Sequence, residues 1–166
     1  MSQKTPFNKG PVSKDDGERP VLELNRFLPY QLNHLAETVS RSFSKIYAEK
    51  YGIGIPEWRV IAMLGERGAM TARDISVATS MHKTKVSRAV AALESRDFIM
   101  RVKNPEDMRE QTLRLTSNGT AVYEDIIPKA LAYSDELQNA LTSEQKHLLN
   151  DVFNRLHQAV RQRDET

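Results

Sequence analysis

The sequence predicts a mainly α fold with one small β-hairpin: a winged helix-turn-helix carried between long helices at the two ends of the chain. Three observations lead there. Residues 71–115 run through two short helical patterns, then two alternating segments separated by the turn-rich Asn104-Pro105-Glu106-Asp107. The second helical pattern has one apolar face and one small, hydroxylated, cationic face. Long apolar stripes at helical spacing flank this centre on both sides.

In chain order, residues 1–21 hold Pro6, Gly10, Pro11, Gly17 and Pro20 among Lys, Asp and Ser. That composition predicts a flexible tail, with a weak DNA-contacting arm as the alternative. Residues 22–52 are expected as a long helix, since Leu28, Leu32, Leu35, Val39, Phe43 and Ile46 recur at steps of three and four. Residues 53–116 form the expected DNA-binding domain. Within it Thr71 caps a helix and Asp74 stands at the third helical position, so each side chain can satisfy an orphan amide of the first turn.

The following helix, about His82 to Arg96, places Val86, Ala89, Val90 and Leu93 on one face and Thr84, Arg88, Ala91 and Ser95 on the other. A helix lying in a major groove needs small residues for close approach, hydroxyls for phosphates and an Arg that can bond guanine through two hydrogen bonds. His82, Lys83, Thr84, Lys85, Ser87 and Arg88 supply these in the N-terminal half, the part such a motif inserts. An amphipathic surface helix with a solvated basic face is the plainer alternative. The hairpin favours the first reading: Phe98–Lys103 and Gln111–Leu115 alternate, and the turn between them presents Arg109. From Lys83 to Arg114 eight cationic residues stand against five acidic ones, a net +3 that exceeds the +2 of the whole chain.

Residues 117–163 carry the second set of helices. Thr116 can cap the first, which continues through Val122, Ile126, Ile127, Leu131 and Leu137, with Pro128 expected to kink or interrupt it. Thr142-Ser143-Glu144-Gln145 opens a last helix bearing Leu148, Leu149, Val152, Phe153, Leu156 and Val160. These end helices have apolar faces but little bulk of their own to cover them. Pairing with a second copy would cover them, and would set two recognition helices against a palindromic site.

At 166 residues, 39% hydrophobic and 28% charged, the chain has the make-up of an ordinary soluble domain. It has no cysteine, which excludes disulfides, thiolate metal sites and thiol chemistry. No apolar run approaches the ~20 residues that span a bilayer, and no apolar signal core is present, so a cytoplasmic protein without membrane contact is expected. His34, His82, His147 and His157 are scattered, with no carboxylate pair, phosphate loop or nucleophile elbow beside them. An enzyme is therefore not expected. His147 and His157 lie off one helical face and lack a third ligand, which argues against a metal.

The residues resemble the MarR transcriptional regulators. The matching run begins at Pro56-Glu57-Trp58-Arg59-Val60, continues through Thr71-Ala72-Arg73-Asp74-Ile75 and Val86–Glu94, passes Asp107-Met108-Arg109-Glu110 and closes on Leu113–Gly119. The resemblance implies an obligate homodimer on double-stranded operator DNA, with Arg109 probing the minor groove and Asp107 orienting the wing. Asp97-Phe98 departs from the family, which often has a glycine before its Leu-Ile pair. The resemblance also implies a small-molecule pocket among the first helix, the Trp58 segment and the helix after Thr116.

On the first helix Tyr30, His34, Thr38, Arg41 and Lys45 share the face opposite the leucine stripe, able to hold a phenol at one end and an anion at the other, or else forming a solvated polar face. Trp58 and Tyr123 are expected as core anchors that line the same cavity. Arg26–Asn33 followed by Glu57–Val60 resembles the subgroup answering to hydroxycinnamoyl-CoA thioesters, which implies feruloyl-CoA or p-coumaroyl-CoA as effector, with no cofactor. Arg41 or Lys45 would then meet the CoA phosphates. Repression relieved by ligand is the commoner family arrangement. The alternatives are a regulator answering to a different phenolic or lipophilic anion, and a dimeric winged-helix interaction scaffold that does not read DNA.

Overall fold

The computed structural model describes residues 12–13, 21–103 and 111–164. The chain divides into two compact units, residues 1–58 and 59–166.

In the first unit, strands β1 (Val12–Ser13) and β2 (Val21–Leu22) pair antiparallel, Val12 opposite Leu22. This places Val12 and Ser13, within the expected tail, in a strand. A 3-10 turn at Leu24–Arg26 leads into helix α1 (Leu28–Tyr51). Pro29 lies in its first turn, where the missing amide has no helical partner to lose. Gly52 ends it in the left-handed region, φ 61°, its N–H donating to the Ala48 carbonyl.

Of the predicted stripe only Phe43 is buried; Leu28, Leu32, Leu35 and Ile46 are exposed on the single chain. The best-buried residue of α1 is Tyr47, off the predicted stripe and 1% exposed. Phe43, Tyr47 and Trp58 form an aromatic cluster. Trp58 stacks on Tyr47 at 5.6 Å, and Phe43 meets both edge-on.

Helix α2 (Ile55–Arg67) starts in this unit, where the Gly54 N–H donates to Glu57 Oε2 at 2.9 Å. The half of it beyond Trp58 belongs to the second unit. There, strands β3 (Met70–Thr71), β4 (Ile99–Lys103) and β5 (Gln111–Leu115) form an antiparallel sheet in the order β3-β5-β4. The expected hairpin is β4 and β5, with Ile99 opposite Leu115 and Lys103 opposite Gln111. Strand β3 was not expected, because two residues are too few to show alternation.

Helix α3 (Ala72–Thr79) begins with the predicted capping box: Thr71 Oγ1 accepts from the Asp74 amide at 3.1 Å and Asp74 Oδ2 accepts from the Thr71 amide. Helices α4 (Lys83–Glu94), α5 (Ser117–Asn139) and α6 (Ser143–Asp164) follow. Val60, Ile61, Leu64, Ile75, Val86, Val90, Leu93, Leu113 and Ile126 are almost fully buried. Each such side chain contributes roughly 1.5–3 kcal/mol relative to exposure.

Helix α5 runs through Pro128, so of the two expectations, a kink or an interruption, the interruption does not occur. Proline removes the amide that would bond the Glu124 carbonyl, but Glu124 and Pro128 are both exposed and water can serve that carbonyl. Helix α6 buries no residue, and Leu148, Leu149, Val152, Phe153 and Val160 all stand open on it. Among the described residues no helix is long and apolar enough to cross a membrane.

Candidate nucleic-acid interface

The two faces of α4 separate as the sequence predicts. Val86, Ala89, Val90 and Leu93 are buried, while Lys83, Thr84, Lys85, Ser87, Arg88 and Ala91 are exposed. Periodicity produces this directly: the apolar set packs into the core, and the 100° step turns everything else outward. Among the described residues no carboxylate pairs with Lys83, Lys85 or Arg88. Three cations thus lie along the first turn and a half of one helix with their charge uncompensated.

His82 stands at the N-cap of α4, its Nδ1 accepting from the Thr84 amide at 3.3 Å. With Nδ1 turned to that amide, Nε2 is the ring nitrogen left to meet a phosphate or base. The turn before it is built without glycine. Ser80 takes the left-handed region at φ 53°, Ser76 Oγ bonds the Met81 carbonyl at 2.6 Å, and Met81 is buried. These contacts set α4 against α3, and no turn signal in the sequence announced them.

The helix joins the hairpin at Asp97, which is left-handed at φ 56°. This is the position where the sequence lacks the family's glycine. Asp97 is among the residue types that tolerate this region, and its Oδ2 accepts from Asn118 Nδ2 at 2.9 Å while its carbonyl accepts from Thr116 Oγ1. Gly119 is needed close by: a Cβ there would stand 1.8 Å from the Phe98 carbonyl oxygen.

Arg101, counted in the sequence among the surplus cations, is paired. Its Nε and Nη2 donate to Glu94 Oε1 and Oε2 at 2.7 and 3.0 Å, and its Nη1 reaches Gln111 Oε1 at 3.5 Å. Spacing along the chain held no hint of this fork. Asp107 and Arg109 lie outside the described residues.

The predicted effector residues fall into separate groups. On α1, Tyr30 stacks on His34 at 5.9 Å, Thr38 bonds the His34 carbonyl at 2.8 Å, and Arg41 pairs with Glu37 at 2.9 Å. Trp58 belongs to the Phe43–Tyr47 cluster, some 20 Å of helix from Tyr30 at 1.5 Å per residue. Tyr123, in the other unit, lies flat over Gly65, where a Cβ would strike its ring at 2.4 Å. It lines an open cavity of about 540 Å³ with Leu64, Gly68, Arg114, Leu115 and Thr120.

Two short helices joined by a tight turn, followed by a β-hairpin and an exposed cationic second helix, define a winged helix-turn-helix protein. Residues 53–111 match the model of the MarR family. The chain is similar to an uncharacterised HTH-type transcriptional regulator, YwoH, of Bacillus subtilis: 28% identical over 130 residues, covering 78% of this chain and 93% of that protein. It is also similar to the crystal structure of a MarR/EmrR family transcriptional regulator from Acinetobacter sp. ADP1. That likeness has a TM-score of 0.76 and 29% identity, over 85% of this chain and 99% of the other. A mutant MarR from E. coli, solved with operator DNA, shares the fold at a TM-score of 0.69 and 19% identity, over 78% of this chain and 92% of the other. The expectation of a regulator and not an enzyme stands with these likenesses.

Proposed function

We propose that the chain is a homodimeric, sequence-specific DNA-binding transcriptional regulator, a repressor that a small aromatic effector such as a hydroxycinnamoyl-CoA thioester releases. The observation that carries the DNA reading is the open face of α4, where Lys83, Lys85 and Arg88 have no carboxylate partner among the described residues. An interaction scaffold has no need of that face. His82, Thr84 and Ser87 would add donors for phosphate oxygens, and Arg88 is the residue proposed to read a base. Arg109 is assigned to the minor groove and Asp107 to orienting the wing.

The uncovered face of α6 supports a homodimer, with residues 22–52 and 117–163 as its dimerisation helices and residues 53–116 as the DNA-binding domain. Two copies would present their α4 helices to successive major grooves of a palindromic operator in the cytoplasm. For the effector, the Tyr30–His34 stack offers an aromatic platform and Arg41 a cation two to three turns further on. Trp58 and Tyr123 are each proposed as an effector contact within its own unit. A ligand of this kind relieves repression only by preferring the state that does not bind DNA.

The test is fluorescence anisotropy of the full chain on the DNA upstream of its own gene, at fixed salt, with feruloyl-CoA or p-coumaroyl-CoA titrated against the free acids. Release by the thioester and not by the acid supports the whole reading. Tight binding that no thioester disturbs removes this effector in favour of another phenolic or lipophilic anion. Absence of sequence-specific binding replaces the regulator with a scaffold.

A further inference from the structure

We infer that Arg101 is not a DNA contact but a positioning residue: its fork to Glu94 couples the wing to the recognition helix, and discrimination between DNA sequences depends on that coupling. The inference rests on the DNA-binding reading above. Its observations are local to the second unit. Glu94 is the last residue of α4, and Arg101 is the middle residue of β4. Two parallel bonds of 2.7 and 3.0 Å make the pair bidentate, a geometry that fixes orientation as well as distance. The remaining reach of the guanidinium, to Gln111 on β5, draws the second strand into the same contact.

Besides this fork, the hairpin's outer half is held by β3, whose Thr71 pairs with Thr112 of β5. Its inner end is anchored by Ile99 and Leu113, both buried. Met100 and Arg101, the latter directly opposite the buried Leu113, are exposed, as is Gln111 further out, while Val102 and Thr112 are half-buried. Lys103 opposite Gln111 is the last described pair before residues 104–110, which carry Asp107 and Arg109. The Glu94 fork joins this stem to α4 by an ion pair and so, together with the β3 ladder on β5, bears on the angle at which the stem leaves the domain. An Arg whose fork is occupied by a carboxylate has little left for a phosphate, and the local charge of the pair is zero.

The two roles predict opposite signs. If Arg101 were a phosphate contact, Glu94→Gln would remove a repelling charge and tighten binding to every duplex, and Arg101→Lys would retain most of the affinity. A coupling predicts that Glu94→Gln and Arg101→Lys each weaken binding to the specific site relative to a scrambled duplex by about three- to tenfold, with the scrambled-duplex affinity and its salt slope unchanged in the charge-conserving Arg101→Lys. The double exchange Glu94→Arg with Arg101→Glu should recover part of the loss.

Hydrogen exchange on the free full-length chain supplies a readout that needs no DNA. Glu94→Gln should speed exchange of the β4 and β5 amides near Arg101 and Gln111 while leaving Val86–Leu93 protected. Unchanged strand exchange overturns the coupling, and so does a Glu94→Gln variant that keeps the parent's ratio of specific to scrambled affinity. A parent that cannot tell specific from scrambled DNA removes the regulator reading instead, and with it the role in discrimination.

Discussion

Helices α4 and α6 are both amphipathic, yet the first buries four of its 12 residues and the second none of its described side chains. Leu93 on α4 is fully buried, whereas Phe153 on α6 is 43% exposed. The contrast shows that a periodic apolar stripe says a face must be covered without saying by what. On α4 the chain covers the face itself, and the opposite face, the one proposed for DNA, is left open. On α6 the single chain leaves the stripe open, and a second copy is the occupant proposed.

The sharpest way to break this contrast is to damage each face in turn. Phe153→Asp is expected to convert the dimer to monomer in sedimentation and to weaken operator binding by ~10²–10⁴-fold, since the two half-sites are no longer read together. Leu93→Ala should cost about 2–5 kcal/mol of folding stability in urea titration and expose a lesion inside each subunit. A parent that sediments as a monomer, or a Phe153→Asp variant that stays dimeric, would falsify the assignment of α6.

Smaller effects sharpen the description of the α4 side. Gly119→Ala forces a Cβ onto the Phe98 carbonyl, and a loss of about 3 kcal/mol is expected from thermal unfolding. Arg88→Ala should leave folding intact and relax base preference at one operator position by about 1–3 kcal/mol, measured as the ratio of specific to scrambled affinity. His82→Asn is expected to be the mildest. Asn caps helices well, so stability should hold or rise by roughly a few tenths of a kcal/mol, while DNA affinity falls with the lost Nε2 donor.

Much of the candidate interface was legible because it is local. The Thr71–Asp74 capping box, the two faces of α4 and the β4–β5 hairpin each follow from residues within a few positions of one another. The failures share a cause as well. Strand β3 is defined by its partner β5, more than forty residues on, and not by any pattern of its own. Pro128 looked like an interruption because propensity counts the missing amide but not the water available to the freed carbonyl. Arg101 looked like a free cation because nothing in its neighbourhood along the chain points to Glu94.

By itself the sequence determined which faces are apolar, where most helices start, and that a cationic helix precedes a hairpin, because side-chain direction follows from the backbone repeat. Only the tertiary structure decided which charges are left unpaired, how Ser80 and Asp97 make left-handed turns without glycine, and which stripe the chain leaves uncovered. Those outcomes depend on contacts between residues far apart in sequence, and no local pattern encodes the partner.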